Sequence, residues 1–188
     1  IHYLHETHHH QTDHILSISR IEEEQYVWMD RFTIRNLELF NSPNEDAKTL
    51  IDVLDQTKSP MGARLLKRWL ALPLKDKKQI CERNNIVEEL LKNSKLSNLL
   101  EEQILRIGDL ERLISKASTL RINPRECERL KDALSSILPI KSSCSESELD
   151  IIKNISDRLE SCDDIRNKIE KQLYPNPPML MHKGNVIN

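Results

Sequence analysis

A run of histidines near the start of the sequence is the first candidate for metal chemistry. His2, His5 and His8 recur every three residues, and three more histidines follow by position 14. On a helix this spacing places two or three imidazoles on one face, and imidazole is a common zinc ligand. The run contains only isolated carboxylates and no cysteine. We therefore interpret residues 2–14 as a solvated polar helix and expect no metal site.

The four cysteines are spaced too widely to form a zinc site together. Cys81, Cys127, Cys144 and Cys162 are separated by 46, 17 and 18 residues, so the sequence has no CxxC or CxxxC pair. Structural zinc sites draw their cysteines in pairs at short spacing. We expect four reduced thiols, with Cys127 at an apolar position of a helix.

Motifs for phosphate binding and for hydrolysis are missing from these 188 residues. A P-loop needs the pattern GxxxxGK[ST], in which backbone amides wrap the phosphates. The nearest two glycines, Gly62 and Gly108, lie 46 residues apart. The nucleophile elbow GxSxG is missing too. We predict that this chain has no catalytic residue, binds no cofactor and is not an enzyme by itself.

A small basic cluster beside Trp69 is the remaining candidate, as a contact to nucleic acid. Arg64, Lys67 and Arg68 lie around one turn of a predicted helix. The formal charge is −2, however, with −3 in residues 1–74, +2 in 75–140 and −1 in 141–188. Modules that bind DNA through its phosphates normally carry a strong basic bias. We therefore interpret these three basic residues as the solvent-exposed face of a helix whose other face is buried through Leu65 and Trp69.

Composition and hydrophobic periodicity predict an all-α fold. The chain has three glycines and seven aromatic residues, so its core must be aliphatic and Gly-rich β turns are scarce. From Asp30 onward the helical period dominates, which predicts an irregular bundle of about seven helices with short connections. Residues 15–21 and 26–29 are β-branched or aromatic in rough alternation. They predict a small N-terminal β-hairpin.

Capping residues predict where several helices begin. Ser59 followed by Pro60 is typical of a helix start, and Asp30 and Asp109 are two further N-caps. After Asp109, apolar residues at helical spacing give the clearest stripe in the chain. Capping boxes are predicted at Asp76/Gln79 and Ser145/Glu148, and a further helix is predicted to begin at Asn123 and Pro124. Prolines predict helix ends at Pro73 and Pro139, and the proline cluster at 175–178 ends the helical region.

Nothing in the sequence predicts a signal peptide or a membrane span. No apolar run approaches the ~18 residues that would suggest a transmembrane helix. We expect a protein without a membrane partner and with a cytoplasmic location. The first residue is Ile1 and not methionine, which is typical of a piece of a longer protein.

Several blocks of the sequence resemble the MutS family of DNA mismatch repair proteins, in that family's order and spacing. Residues 30–39 (DRFTIRNLEL) resemble the family's entry to its core domain. Residues 50–57, 59–62, 64–70 and 73–74 (LIDVLDQT, SPMG, RLLKRWL, PL) resemble its long "LD-x-T-x-[TS]-PMG-x-R" block. Residues 107–112 (IGDLER) and 184–187 (GNVI) resemble later blocks. The style of the sequence is closer to bacterial members than to eukaryotic ones.

The resemblance implies a domain organisation and a role. Residues 1–21 would be the junction from the connector domain, and residues 22–188 the core or lever helical domain before the clamp insertion. In this family the core links an ATPase to a clamp that closes around DNA, while a separate domain reads the mismatch. The full-length protein would use ATP and Mg²⁺, bind mismatched double-stranded DNA, form a homodimer and meet a MutL-type partner.

The residues we expect to matter are architectural and not catalytic. Capping is predicted for Asp30, Pro60 and Asp109, close approach for Gly62, and packing or ion pairing for Arg64, Trp69 and Arg112. The full set is Asp30, Asn36, Asp55, Pro60, Gly62, Arg64, Trp69, Asp109 and Arg112. The function that follows is a structural and signal-transmitting segment. The alternatives are an independent helical protein–protein interaction module and, third, a DNA-binding module.

Overall fold

The computed structural model describes residues 23–44, 46–179, 184 and 186–187, and these residues form a helical bundle. A short 3-10 turn, Glu23–Gln25, precedes ten α-helices in the described ranges. The helices are α1 Arg31–Asn36, α2 Leu50–Leu54, α3 Pro60–Ala71, α4 Lys77–Lys92, α5 Ser94–Ile107, α6 Leu110–Ser118, α7 Pro124–Ser135, α8 Ile137–Ser145, α9 Asp150–Arg158 and α10 Asp163–Gln172. The predicted all-α class is confirmed, with more and shorter helices than the seven expected.

One reason for the higher count is a break that the prolines do not predict. We expected Pro139 to end the helix that begins at Pro124. The break comes instead at Ser136, which separates α7 from α8 and whose hydroxyl donates to the Asp132 carbonyl at 3.0 Å. Pro139 then lies in the first turn of α8. Proline fits there because the first backbone N–H groups of a helix have no intrahelical acceptor.

The predicted N-terminal hairpin is not shown. Its first strand, residues 15–21, and the histidine-rich run both lie outside the described residues. From its second strand, Tyr26 pairs with Leu74 in an isolated antiparallel bridge. The Val27 N–H donates to the Pro73 carbonyl at 2.7 Å, and the Lys75 N–H donates to the Gln25 carbonyl at 3.1 Å. The segment before α1 is thereby tied to the residues that follow α3.

The core lies between α4, α5, α8 and α9. Leu96 of α5, Ile140 and Cys144 of α8 and Ile152 of α9 are buried together, each at most 8% exposed. Partly buried aliphatic side chains from α4 and α5 pack around them. Helix α7 contacts α5 and α8, and it also contacts α6 and α10. The core is therefore aliphatic, as the scarcity of aromatic residues predicts.

Helix α4 turns a different face to the core from the one its sequence predicts. The helical spacing of Ile80, Val87 and Leu91 predicts that they face inward, yet they are 38%, 56% and 80% exposed. Ile86 and Leu90 pack against the core instead. The helix carries two apolar rows, and its own periodicity does not decide which row a neighbouring helix covers.

Among the ten helices of the described residues, α1 to α7 begin at a residue whose side chain accepts a backbone hydrogen bond, and α8, α9 and α10 do not. The predicted Asp76/Gln79 box is not formed, because Asp76 caps α4 alone by accepting from the Lys78 N–H at 2.9 Å. Thr49 and Asp52 form a capping box at α2, and Asn123, where a helix start was predicted, forms a box with Glu126 at α7. Ser145 is the last residue of α8, so the predicted Ser145/Glu148 box is wrong. Helix α9 begins after Leu149 without a side-chain cap.

Val186 and Ile187 lie beside the residues that directly follow α10. The Tyr174 N–H donates to the Val186 carbonyl at 2.9 Å, and Leu173 pairs with Ile187. Leu173, Val186 and Ile187 border an apolar groove of about 490 Å³ together with Cys127 of α7. Among the described residues, no helix combines the length and the apolar character that a bilayer crossing demands.

Candidate functional site

The turn that leads into α3 is fixed by short-range hydrogen bonds. The Asp55 carboxylate accepts from the Thr57 hydroxyl at 2.6 Å and from the Thr57 N–H at 3.1 Å. These bonds lower the pKa of Asp55 below its usual range, since they favour the charged form. Ser59 then accepts from the Gly62 N–H at 3.1 Å, and Pro60 occupies the first helical position. A Cβ on Gly62 would lie 3.3 Å from the Thr57 Cβ, so the turn and the helix approach closely here.

The start of α6 provides the second half of the site. Gly108 has φ +62° and ψ −130°, a backbone conformation that favours glycine. Asp109 follows as the N-cap, and its Oδ1 accepts from the Arg112 N–H at 3.2 Å. The Asp109 carboxylate therefore lies at the N-terminal end of the first turn of α6, where it can also accept hydrogen bonds from a side chain of α3.

Arg64 joins the two halves. Its Nη1 and Nη2 donate to Oδ2 and Oδ1 of Asp109 at 3.1 and 2.7 Å. Its Nε and Nη2 donate to Oε2 of Glu111 at 2.9 and 2.6 Å. One guanidinium thus holds two carboxylates of α6 in a planar, two-sided arrangement that lysine could not reproduce. We call Arg64, Asp109 and Glu111 the junction.

The charges of the junction reinforce one another. The Arg64 guanidinium holds the pKa of Asp109 below its ordinary value, mainly through its hydrogen bonds. The same carboxylates raise the pKa of Arg64, which stays charged at any physiological pH. The Arg64 side chain is 48% exposed and that of Asp109 is 22% exposed. The junction is therefore a solvent-accessible contact that salt can screen.

Two further contacts fasten the same part of the chain to other helices. The Arg83 guanidinium of α4 lies 3.7 Å above the ring centroid of Trp69, which is cation–π distance. The Lys58 ammonium, just before α3, lies 2.9 Å from Glu101 of α5. Trp69 is 41% exposed, so this contact also faces solvent.

A polar cleft of about 430 Å³ opens beside Asp109. Arg112, Arg106 and Arg129 line it together with Asp109, Glu126 and Asp132. Lys116 forms an ion pair with Glu126, and this bond lowers the pKa of that carboxyl. Three arginines and three carboxylates thus face one cleft, and their opposite charges favour neither an anionic nor a cationic ligand.

The structure brings together some of the residues that the sequence singled out. Arg64 and Asp109 are in direct contact, and Arg112 adjoins them through its backbone. Asp55, Pro60 and Gly62 lie together at the turn before α3. Asp30 and Asn36 are elsewhere, at the two ends of α1: Asp30 caps it by accepting from the Thr33 N–H at 2.6 Å, and Asn36 is its exposed last residue.

Sequence reasoning missed a partner in three of the four contacts described at the site. Glu111, Arg83, Lys58 and Glu101 were not expected to take part. Glu111 stands 47 residues from Arg64 in the chain, and no pattern in a single sequence links such distant charges. One sequence feature pointed toward Glu111: it lies two residues after Asp109, within the block 107–112 that resembles a MutS motif.

Comparison with known proteins identifies the family. The family described as MutS domain III matches residues 32–188. The chain belongs to the MutS family. It is 52% identical over 187 residues to the DNA mismatch repair protein MutS of Christiangramia forsetii, covering all of this chain and 22% of that protein. The MutS of Flavobacterium johnsoniae is 51% identical over the same share of both chains.

The MutS of Bacteroides fragilis, at 48% identity over 185 residues, covers 98% of this chain and 22% of its own length. The chain spans about a fifth of the length of the curated relatives that it matches. These relatives are bacterial, so the predicted likeness to bacterial members is confirmed. Their shared name, DNA mismatch repair protein MutS, describes proteins about four to five times longer than this chain.

Proposed function

We propose that this MutS domain III chain is a structural and signal-transmitting segment that links an ATPase to a DNA clamp in a full-length protein. The observation that carries the proposal is the junction, in which Arg64 of α3 grips the start of α6 through four hydrogen bonds. Because Arg64 of α3 binds both Asp109 and Glu111 at the start of α6, we infer that a displacement of α3 also displaces α6. Transmission between distant sites needs such physical connections between rigid elements.

The regular capping of the helices supports the same proposal. Asp109 serves at once as the N-cap of α6 and as the partner of Arg64. Pro60 and Ser59 begin α3 at a defined residue, and Gly62 allows the turn to approach it closely. Elements with fixed ends behave as stiff units, since their terminal groups do not fray.

The wider proposal concerns the full-length protein. There we infer use of ATP and Mg²⁺, binding of mismatched double-stranded DNA, a homodimer, contact with a MutL-type partner and a cytoplasmic location. We also propose that residues 1–21 are the segment that leaves a connector domain and that residues 22–188 are the core domain before the clamp. Under this proposal, other domains of the full-length protein bind the nucleotide and the mismatch, and residues 1–188 bind neither.

The charge arrangement weighs against a DNA-binding module. Arg64, the first member of the basic cluster, has its guanidinium engaged by Asp109 and Glu111. Hydrogen bonds from Thr49 and Thr57 lower the pKa of Asp52 and Asp55, and the nearby charge of Lys67 lowers both further. These neighbouring carboxylates reduce the local positive potential that phosphate binding requires.

Fluorescence anisotropy with a labelled DNA duplex separates these functions. The 188-residue chain is titrated against a G·T duplex and against a fully paired duplex of the same sequence, at 50 and 200 mM salt. We expect either no binding or a weak binding that is equal for both duplexes and is lost at the higher salt. Tight binding that prefers the G·T duplex would place mismatch recognition within these residues and would refute the proposal.

A further inference from the structure

Helix α3 is attached to the bundle without a buried side chain of its own. None of its residues is buried. Leu65 is 47% exposed and Trp69 is 41% exposed, while Met61, Leu66 and Leu70 are half-buried. Burial of apolar surface therefore contributes less to the docking of α3 than it does to the packing of the core helices.

Charged side chains make the specific contacts between this helix and the rest of the chain. Lys58 reaches Glu101 of α5 at 2.9 Å, and Arg64 reaches α6 through the junction. Trp69, more than one turn further along α3, lies under Arg83 of α4. One segment, residues 58–71, is thus held at three points on three different helices. We call this segment the arm.

The core of the bundle is stabilised by the burial of apolar side chains and not by charge pairs. Leu96, Ile140, Cys144 and Ile152 lie at most 8% exposed, and they belong to helices outside the arm. Salt screens exposed charge pairs, with a Debye length of about 10 Å at 0.1 M and about 3 Å at 1 M. Apolar burial is not weakened by sodium chloride. Added salt should therefore weaken the attachment of the arm and leave the core folded.

We propose that the arm is an electrostatic latch: it leaves the bundle as a unit when its three charged contacts are screened, while the bundle stays folded. The Asp55–Thr57 hydrogen bonds at one end preserve the entry turn, and Leu72 and Pro73 at the other end form a connection outside any helix. This property belongs to the chain itself and holds whether or not the proposed coupling function is correct.

Trp69 is a natural reporter of the latch. The chain has two tryptophans, so replacing the 63%-exposed Trp28 by Phe leaves Trp69 as the single emitter. Acrylamide quenching of Trp69 is measured from 0.05 to 1 M NaCl, with far-UV circular dichroism on the same samples. We expect the quenching constant to rise by up to about 2.4-fold, the ratio of complete exposure to the present 41%. The helical signal at 222 nm should stay constant.

Two arginine variants in the Trp28→Phe background separate the latch from a general effect of salt. Arg64→Ala removes the junction without weakening the helix, since alanine is the best helix former. We expect it to raise quenching at low salt and to flatten the salt dependence. Arg106→Ala is the matched control, because Arg106 pairs with Glu102 four residues away in the same helix. It should leave the quenching curve unchanged.

Two results would overturn the latch. Quenching that is independent of salt and equal in the Arg64→Ala variant would show that charge does not hold the arm. A helical signal that falls in step with the rise in quenching would show that the arm and the bundle are one cooperative unit.

Discussion

Two isoleucines on helix α9 test whether the core has been assigned correctly. Ile152 is 3% exposed and belongs to the central cluster, whereas Ile155 is 43% exposed and three residues further along the same helix. Their spacing of three residues predicts one shared apolar face of a helix. Substitution of each by alanine removes the same three carbon atoms from the same element, so each variant is the control for the other.

The expected cost follows from burial. Removal of three buried carbons at about 0.8 kcal/mol each costs about 2.4 kcal/mol in transfer free energy. The cavity left between α9, α5 and α8 adds to this, which brings Ile152→Ala to about 3–4 kcal/mol of lost unfolding free energy. At Ile155 the lost burial is smaller, and the better helix propensity of alanine offsets part of it. We expect a change below about 1 kcal/mol there.

Urea unfolding followed by circular dichroism at 222 nm measures both values from the midpoint and the slope. A loss for Ile152→Ala at least about 2 kcal/mol larger than that for Ile155→Ala is the expected outcome. Equal losses would mean that the two side chains are equally buried, and the packing of α9 on the core would have to be revised.

Three further predictions concern the backbone, the thiols and the junction. Gly108→Ala should cost about 1–3 kcal/mol in urea unfolding, because its positive φ strains any side chain although no atom lies within 4 Å of the new Cβ; an unchanged midpoint would contradict this. Ellman's reagent should modify the exposed Cys81 and Cys162 quickly. It should modify Cys144 only on unfolding, since burial raises the pKa of the Cys144 thiol. Rapid reaction of a third thiol without unfolding would be inconsistent with this. Because the folded pKa of Asp109 is lowered, its stabilising contribution is present above the ordinary carboxyl pKa and is lost as pH falls through the lowered value. Asp109→Asn should therefore make stability less dependent on pH in the acid range, and an unaltered pH profile would argue against the ion pair.

Local features of the fold were predictable because their causes are local. Ser59 with Pro60, and Asn123 with Glu126, begin helices through hydrogen bonds that span only three residues. Such bonds depend on neighbours in the sequence and little on the rest of the fold. The all-α class follows in the same way from composition and period. The failed capping box at Ser145 shows the limit: the residues match the pattern, yet α8 continues to Ser145 and α9 begins later.

The arrangement of the helices was not predictable, because it depends on contacts between distant residues. Arg64 and Asp109 were singled out separately, but they stand 45 positions apart in the chain. Their pairing exists only after α3 and α6 are placed side by side. The choice of face on α4 has the same origin, since Leu90 rather than Leu91 meets the core only because α5 and α9 lie on that side.

Signal transmission through the junction is tested most directly in a full-length MutS protein that carries this chain as its domain III. Arg64→Ala and the control Arg106→Ala are compared by stopped-flow fluorescence of a G·T duplex that is released after ATP is added. We expect Arg64→Ala to bind the duplex normally without ATP and to slow ATP-triggered release by about tenfold, within the usual range of coupling free energies. The Arg106→Ala variant should behave as the unmutated protein does. Release at the unmutated rate in a folded Arg64→Ala variant would contradict the proposed role of the junction.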